Sequence, residues 1–338
     1  MNADQNALEP AVLLVRPRSL GEETDRIVER LRERHRVGLM DDPRDLAAVT
    51  RNEWDVVAGP GSMPCDSAFF DRLPRIRAVV AVGSGIEGID REAASQRGIL
   101  IGDGAVKENA RDMASATVLL MLALLHDLDG ARACLAGGAW LPRKPRARAL
   151  GDQIIGLIGF GRVGRAVARH LAPWKPRILI AAPRAGTALP PRARVATLEE
   201  VLARSDVVSV HASLNASTRD LLDARAIGRM KSTAMLINTA RGGIVDESAV
   251  AEALDAGRLR AAAFDCFAQE PLPPDSPLRN ARNVILTPHA IGQTIDGGRA
   301  VAAMFEENIF RTLRGDRPCS LRNPAALHRR PPPPSTTS

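Results

Sequence analysis

Tyrosine is absent from this 338-residue chain, and all aromatic residues together make up 3% of it. A protein that stacks nucleic-acid bases needs aromatic faces, so the net charge of +7 does not by itself indicate a nucleic-acid partner. The dense basic tract "PRKPRARAL" (142–150) reads as a solvated linker, and an anionic small ligand explains part of the charge more simply. Long apolar runs are missing too. The longest uncharged apolar run, Met113–Leu125, falls short of the roughly 20 residues a membrane span requires, and the first residues do not resemble a secretory leader. Cysteine is sparse: Cys65, Cys134, Cys266 and Cys319 lack metal-type spacing, which suits reduced thiols and no bound metal. These absences together predict a cytoplasmic protein with neither membrane nor nucleic acid as partner. One further absence is local. Between Asp152 and Glu199 there is no carboxylate at all.

What is present is an ordinary globular composition, 45% apolar and 25% charged, in a chain long enough for two domains. Short apolar runs alternate with helical patterns. "AVLLVRP" (11–17), "WDVVAGP" (54–60), "IRAVVAVGSG" (76–85) and "ILIGDG" (99–104) read as strands, and "GEETDRIVERLRERH" as a helix burying Ile27, Val28 and Leu31. A long apolar helix follows over 107–128. After "GGAWLPRKPRARALGDQ" the alternation resumes with "IIGLIGFG" (154–161), "ILIAAPRAG" (178–186), "DVVSVHA" (206–212), "AMLINTA" (234–240), "LRAAAFDCF" (259–267) and "NVILTP" (283–288), and a last helix spans 294–315. Alternating β and α predicts an α/β fold with parallel sheets. The tail "RRPPPPSTTS" is too rich in proline and polar residues to pack, so 329–338 is expected to be disordered.

Gly159-x-Gly161-x-x-Gly164 sits between a strand and the helix "RVGRAVARHLA". In that context the first glycine permits a tight turn, the second admits a pyrophosphate to the backbone, and the third lets helix and strand pack closely. The helix N-terminus then offers N–H groups to phosphate, at Arg162, Val163 and Gly164. A merely glycine-rich turn is the bland alternative. Three more segments end strands, where ligands meet an open α/β sheet: "INTARGGIVDE" with Arg241, "FDCFAQEP" with Asp265 and Glu270, and "LTPHAIGQ" with His289. Singly these could be a solvated arginine, a capping acid and a turn histidine. Their joint placement at strand ends argues for a site.

The segments "GLIGFGRVG", "DVVSVHASLNASTR", "MKSTAMLINTARGGIVDESAVAEAL" and "NVILTPHAIGQT" resemble, in order, the motifs of the D-isomer-specific 2-hydroxyacid dehydrogenases, with likeness over roughly 50–318. The resemblance implies two doubly wound parallel-sheet domains. One is a flavodoxin-like substrate domain, 1–103 with 292–330; the other is a Rossmann-type cofactor domain, 104–291; the active site lies in a cleft between them. It implies Arg241, Glu270 and His289 as catalytic residues, with Asp265 bonding the nicotinamide carboxamide. It further implies cofactor contacts at Ala212, Thr239, Ala240, Arg241 and His289, substrate contacts at Ser84 and Gly85, and a homodimer. The turn "VAVGSGIEGID" could equally be a plain glycine turn. The residue types suit reduction of a 2-keto acid such as glyoxylate or hydroxypyruvate. A planar guanidinium holds a carboxylate by paired charge-assisted bonds, and an imidazolium steadied by a carboxylate donates a proton near neutral pH. Two departures stand out: Ser115, where members commonly carry Glu, and Pro60, where several carry Arg. The latter weakens any case for a phosphorylated or dicarboxylate substrate.

The carboxylate-free stretch bears on the cofactor. NAD-preferring members place a ribose-binding Asp at the position of Ala182, and Arg184 follows two residues on. Loss of the acid and gain of a base favour NADP over NAD, with Arg162, Lys175, Arg177, Arg192 and Arg194 as further positive charge. Two other readings compete. Dehydrogenase-like corepressors share this fold and can keep all three catalytic residues, while formate dehydrogenases of the superfamily pair their His with Gln, against Glu270 here.

Overall fold

The computed structural model describes residues 9–140, 147–182 and 189–329. The chain divides into two compact units; the first ends at Asn109 and resumes at Thr294, and the second is Ala110–Gln293. The first contains β1 (Ala11–Val15), α1 (Glu23–Arg32), β2 (Arg36–Met40), β3 (Val56–Gly59), α2 (Ser67–Arg72), β4 (Ala78–Ala81), α3 (Arg91–Gln96) and β5 (Leu100–Gly102). Its five strands pair in the order β2-β1-β3-β4-β5, every ladder parallel, which is the doubly wound flavodoxin-like order. Alternate residues of each strand feed two cores. Val12, Leu14, Val56 and Val80 face Ile27 and Phe305, whereas Leu13, Val15, Val57 and Val79 face Phe69 and Phe70.

Next come α4 (Lys107–Leu125), α5 (Leu128–Ala136), β6 (Ile154–Ile158), α6 (Arg162–Leu171), β7 (Arg177–Ala181), β8 (Ala193–Val195), α7 (Leu198–Arg204) and β9 (Val207–Val210). They are followed by α8 (Ala224–Ile227), β10 (Met235–Asn238), α9 (Glu247–Asp255), β11 (Ala261–Phe264) and β12 (Val284–Leu286), and α10 (Ile295–Leu313) returns to the first unit. The sheet order β8-β7-β6-β9-β10-β11-β12 is parallel throughout. It is the order of a doubly wound dinucleotide-binding sheet extended by β12, and strand order reverses between β6 and β9. Both faces are covered, so Ile155, Leu157 and Ile237 enter one core and Ile158, Val208 and Leu236 the other. Such two-sided burial is why these strands read as continuous apolar runs.

Two differences from the sequence reading are instructive. The helix expected over 107–128 stops at Leu125; Asp127 takes a left-handed conformation (φ 52°) and α5 begins at Leu128. Aspartate is one of the few side chains that visit this region readily, so the chain turns there without a glycine. Strands β2 and β8 fall outside the strands expected from the sequence, and both are sheet edges with partly exposed residues. The tail 330–338, expected to be disordered, lies outside the described residues.

Candidate active site

The parallel ladders bring the carboxyl ends of β10, β11 and β12 side by side. Arg241 follows β10, Asp265 follows β11, and His289 follows β12. Glu270 stands at the end of a turn after Asp265. The Nδ1 atom of His289 lies 2.9 Å from both Glu270 oxygens. The bond to Glu270 raises the pKa of His289, burial opposes it, and the negative charge of Glu270 adds to the rise. Burial pushes the Glu270 carboxyl up, but the bonds from His289 and from the Phe267 N–H (2.9 Å), with the charges of His289 and Arg241, bring it below its usual range. These shifts favour the imidazolium–carboxylate form of the pair. Both side chains stay accessible, at 43% and 39% exposure. The backbone of His289 is left-handed (φ 54°), a conformation uncommon outside glycine. With Nδ1 committed to Glu270, Nε2 is the ring atom left for a reacting group.

Arg241 is placed by Asn238, which sequence reading passed over. The buried Asn238 amide donates to the Arg241 carbonyl (3.0 Å) and accepts from the Ala240 N–H (3.1 Å). Arg241 Nη1 donates to the Ala240 carbonyl (2.7 Å). Thr239 is buried, its hydroxyl 3.1 Å from that of Thr117 on α4. Asp265 is buried as well. Its Oδ1 accepts from the Thr287 hydroxyl (2.7 Å), Ala290 N–H (3.0 Å) and Ile291 N–H (3.2 Å), locking the β11 and β12 ends together. Its Oδ2 is buried with no partner among the described residues. An unpaired buried carboxylate oxygen is costly and suits a ligand amide as donor.

At the other end of the edge, Gly159 is left-handed (φ 95°), and a Cβ there would lie 2.6 Å from Ala212 N, so only glycine fits between β6 and the loop after β9. A Cβ on Gly161 would meet nothing within 4 Å. No side chain caps α6 at Gly161, so the first-turn amides of Arg162, Val163 and Gly164 are available to phosphate. Burial lowers His211, beside this turn, to about 4, and its Nδ1 has no partner among the described residues. The glycine cradle, the uncapped helix and the open Asp265 oxygen fit a nicotinamide dinucleotide.

Ala182 is half-buried just past β7, while Arg184 lies outside the described residues. The supporting charges expected around it do not all share that edge. Lys175, Arg177 and Arg192 lie at the amino ends of β7 and β8, the edge opposite the glycine turn. Arg194 is not unopposed, because its Nη1 bonds Glu200 at 3.0 Å. Only Arg162 of that set stands at the carboxyl edge. Ser115 donates to the Arg111 carbonyl (3.1 Å) and lies 3.2 Å from His170 Nε2. In the first unit, Ser84 and Gly85 are half-buried just past β4, and Pro60 is half-buried after β3.

Comparison with known proteins places these features in context. Residues 118–290 match the family profile of the D-isomer specific 2-hydroxyacid dehydrogenase NAD binding domain. The chain is 33% identical over 276 residues to a glyoxylate reductase of Korarchaeum cryptofilum, covering 80% of this chain and 82% of that one. It is 31% identical over 245 residues to a D-3-phosphoglycerate dehydrogenase of Mycobacterium leprae, covering 72% of this chain but 46% of that one. A Thermus thermophilus crystal structure superposes with a TM-score of 0.80 at 30% identity, over 92% of this chain and 99% of that one. An NADPH-dependent glyoxylate/hydroxypyruvate reductase of Sinorhizobium meliloti, solved with NADP and malonate, gives 0.82 at 25% identity, over 96% and 99%.

Proposed function

The chain belongs to the D-isomer specific 2-hydroxyacid dehydrogenase family, and we propose that it reduces a small 2-keto acid of the glyoxylate or hydroxypyruvate kind to the D-2-hydroxy acid. The observation that carries this reading is the His289–Glu270 pair, 2.9 Å apart at the strand end next to the Arg241 loop. When bound, the reduced nicotinamide supplies a hydride to the keto carbon. Arg241 receives the substrate carboxylate in a charge-assisted pair and so orients the ketone. His289 delivers a proton from Nε2 to the ketone oxygen, and Glu270 holds the charged imidazolium at Nδ1 until transfer. In the opposite direction neutral His289 takes the hydroxyl proton at Nε2. Ser84 and Gly85 are assigned as substrate contacts on the resemblance alone. The test follows NADPH and NADH absorbance with glyoxylate, hydroxypyruvate, pyruvate and formate. Turnover with formate and none with the keto acids would overturn the assignment.

The cofactor we favour is NADP. The reading rests on Ala182 where a ribose-binding acid would repel a 2′-phosphate, and on Arg184 in the sequence. The NADPH-dependent relative supports it. The partner we favour is a second copy of the chain. Helix α5 has no buried residue, and Leu119, Leu128, Leu135 and Trp140 are exposed on or beside it and α4; exposed apolar side chains of this size are candidates for an interface. Leu135→Asp should lower the molecular mass measured by light scattering from that of two chains to one. An unchanged mass would remove this face from the interface.

A further inference from the structure

The Phe267–Ala268 peptide lies in the turn that leads to Glu270, and a carboxylate outside the acid–base pair grips it. Glu247 opens α9, where a first-turn acid ordinarily serves the helix dipole. The cap of that helix is already supplied by Asp246, which accepts from the Ala249 N–H at 3.0 Å. Glu247 Oε1 instead accepts the Ala268 N–H at 2.6 Å. One residue earlier in the same turn, the Phe267 N–H is bonded by Glu270. From the other side the Arg241 loop presses on the same peptide, since a Cβ on Gly242 would lie 1.9 Å from the Phe267 carbonyl carbon and 2.4 Å from Ala268 N. The turn that aims Glu270 at His289 is thus clamped between the Gly242 backbone and the Glu247 carboxylate.

We propose that Glu247 is a positioning residue for the acid–base pair, holding the 267–270 turn so that Glu270 meets His289 Nδ1. Its placement is otherwise unfavourable for an acid. Burial raises its pKa, the Ala268 bond opposes that rise, and the charges of Glu270 and Asp246 add to it. Cys266 also faces this cluster and is itself pushed up by burial and by Glu270. The inference rests on the acid–base reading given above.

Three variants test it with glyoxylate or hydroxypyruvate and saturating NADPH or NADH, with folding checked by cofactor binding through nucleotide fluorescence. Glu247→Ala should lower kcat on the order of 10- to 100-fold, as displaced catalytic groups do, while substrate KM and cofactor Kd stay within about threefold. Its alkaline limb for reduction should move to lower pH, because His289 loses the bond that raises it. Glu247→Gln keeps an acceptor for the Ala268 N–H and should recover both kcat and the limb. Glu247→Asp shortens the reach and should fall between, which carries the test if the alanine variant does not fold. Wild-type kcat and an unmoved limb in Glu247→Ala, or a Glu247→Gln as impaired as the alanine variant, would overturn the proposal. A fully active His289→Ala control would instead defeat the acid–base reading itself, and this inference with it.

Discussion

At the β10–β12 half of the seven-stranded sheet's carboxyl edge, side chains hold one another. Asn238 sets Arg241, Glu270 sets His289, and Asp265 ties the β11 end to the segment after β12. At the β6–β7 half, the features are backbone and small residues: a left-handed glycine, a helix without a side-chain cap, and Ala182 just past β7. The proposed function accounts for the difference by what each half would do. Proton transfer needs groups of defined charge in fixed geometry, so it is built from a hydrogen-bonded network in which each partner shifts the next. A dinucleotide brings its own charge and needs room and N–H groups, which glycine and a helix end provide. Damage to the first half should therefore cost turnover, and damage to the second should redirect cofactor choice.

The largest effect is expected at His289. His289→Ala should lower kcat for keto-acid reduction by roughly 100-fold or more while nucleotide fluorescence still shows binding; near-normal turnover at every pH would remove the proton-donor role. Next comes Arg241→Ala. A bond to a charged group contributes about 1.5–3 kcal/mol, so kcat/KM should fall about 10- to 150-fold, with KM raised and kcat lowered together. A keto-acid amide reduced as fast as the acid would show that Arg241 does not clamp a carboxylate.

The β6–β7 half is probed by Ala182→Asp/Arg184→Ala. The wild type should favour NADPH over NADH in kcat/KM, and the double variant should reverse that preference by about 10-fold or more. Preference for NADH in the wild type would break the contrast, because the missing acid would then not select the phosphate. The smallest effect sharpens the first half. Glu270→Gln removes the partner that raises His289, so the imidazolium loses its proton at lower pH. Reduction requires that proton, and its alkaline limb should move to lower pH, with little change in cofactor Kd. A limb that stays in place would show that Glu270 does not govern His289.

How far each feature was legible in the sequence tracks how local its cause is. Arg241, Glu270 and His289 are not distinctive singly; their joint placement near strand ends and the resemblance of the motifs around them mark them in the sequence. Asn238 and Thr287 lie in the same motifs but look like ordinary polar residues at strand ends; what matters is the group each meets, and Thr287 meets Asp265 across two strands. Glu247 reads as a helix-start acid until the fold brings Ala268 to it. Strands β2 and β8 escape for another reason. Both keep residues partly exposed, and β8 is three residues long with Arg194 at its centre, so neither shows the buried apolar run of the inner strands.

The sequence by itself determined the alternation of strand and helix, the glycine turn, and the absence of a carboxylate from 153 to 198, because periodicity and residue type are read along the chain. Only the tertiary structure decided which charges share an edge. Arg177 opens β7 and Ala182 follows it, five residues apart in the chain but at opposite ends of the strand. Arg194, counted from sequence as free positive charge, has its partner in Glu200. A strand carries successive residues about 3.3 Å apart along its axis, so a short step in sequence crosses the sheet, while parallel pairing brings Asp265 and the segment around His289 together from more than twenty residues away.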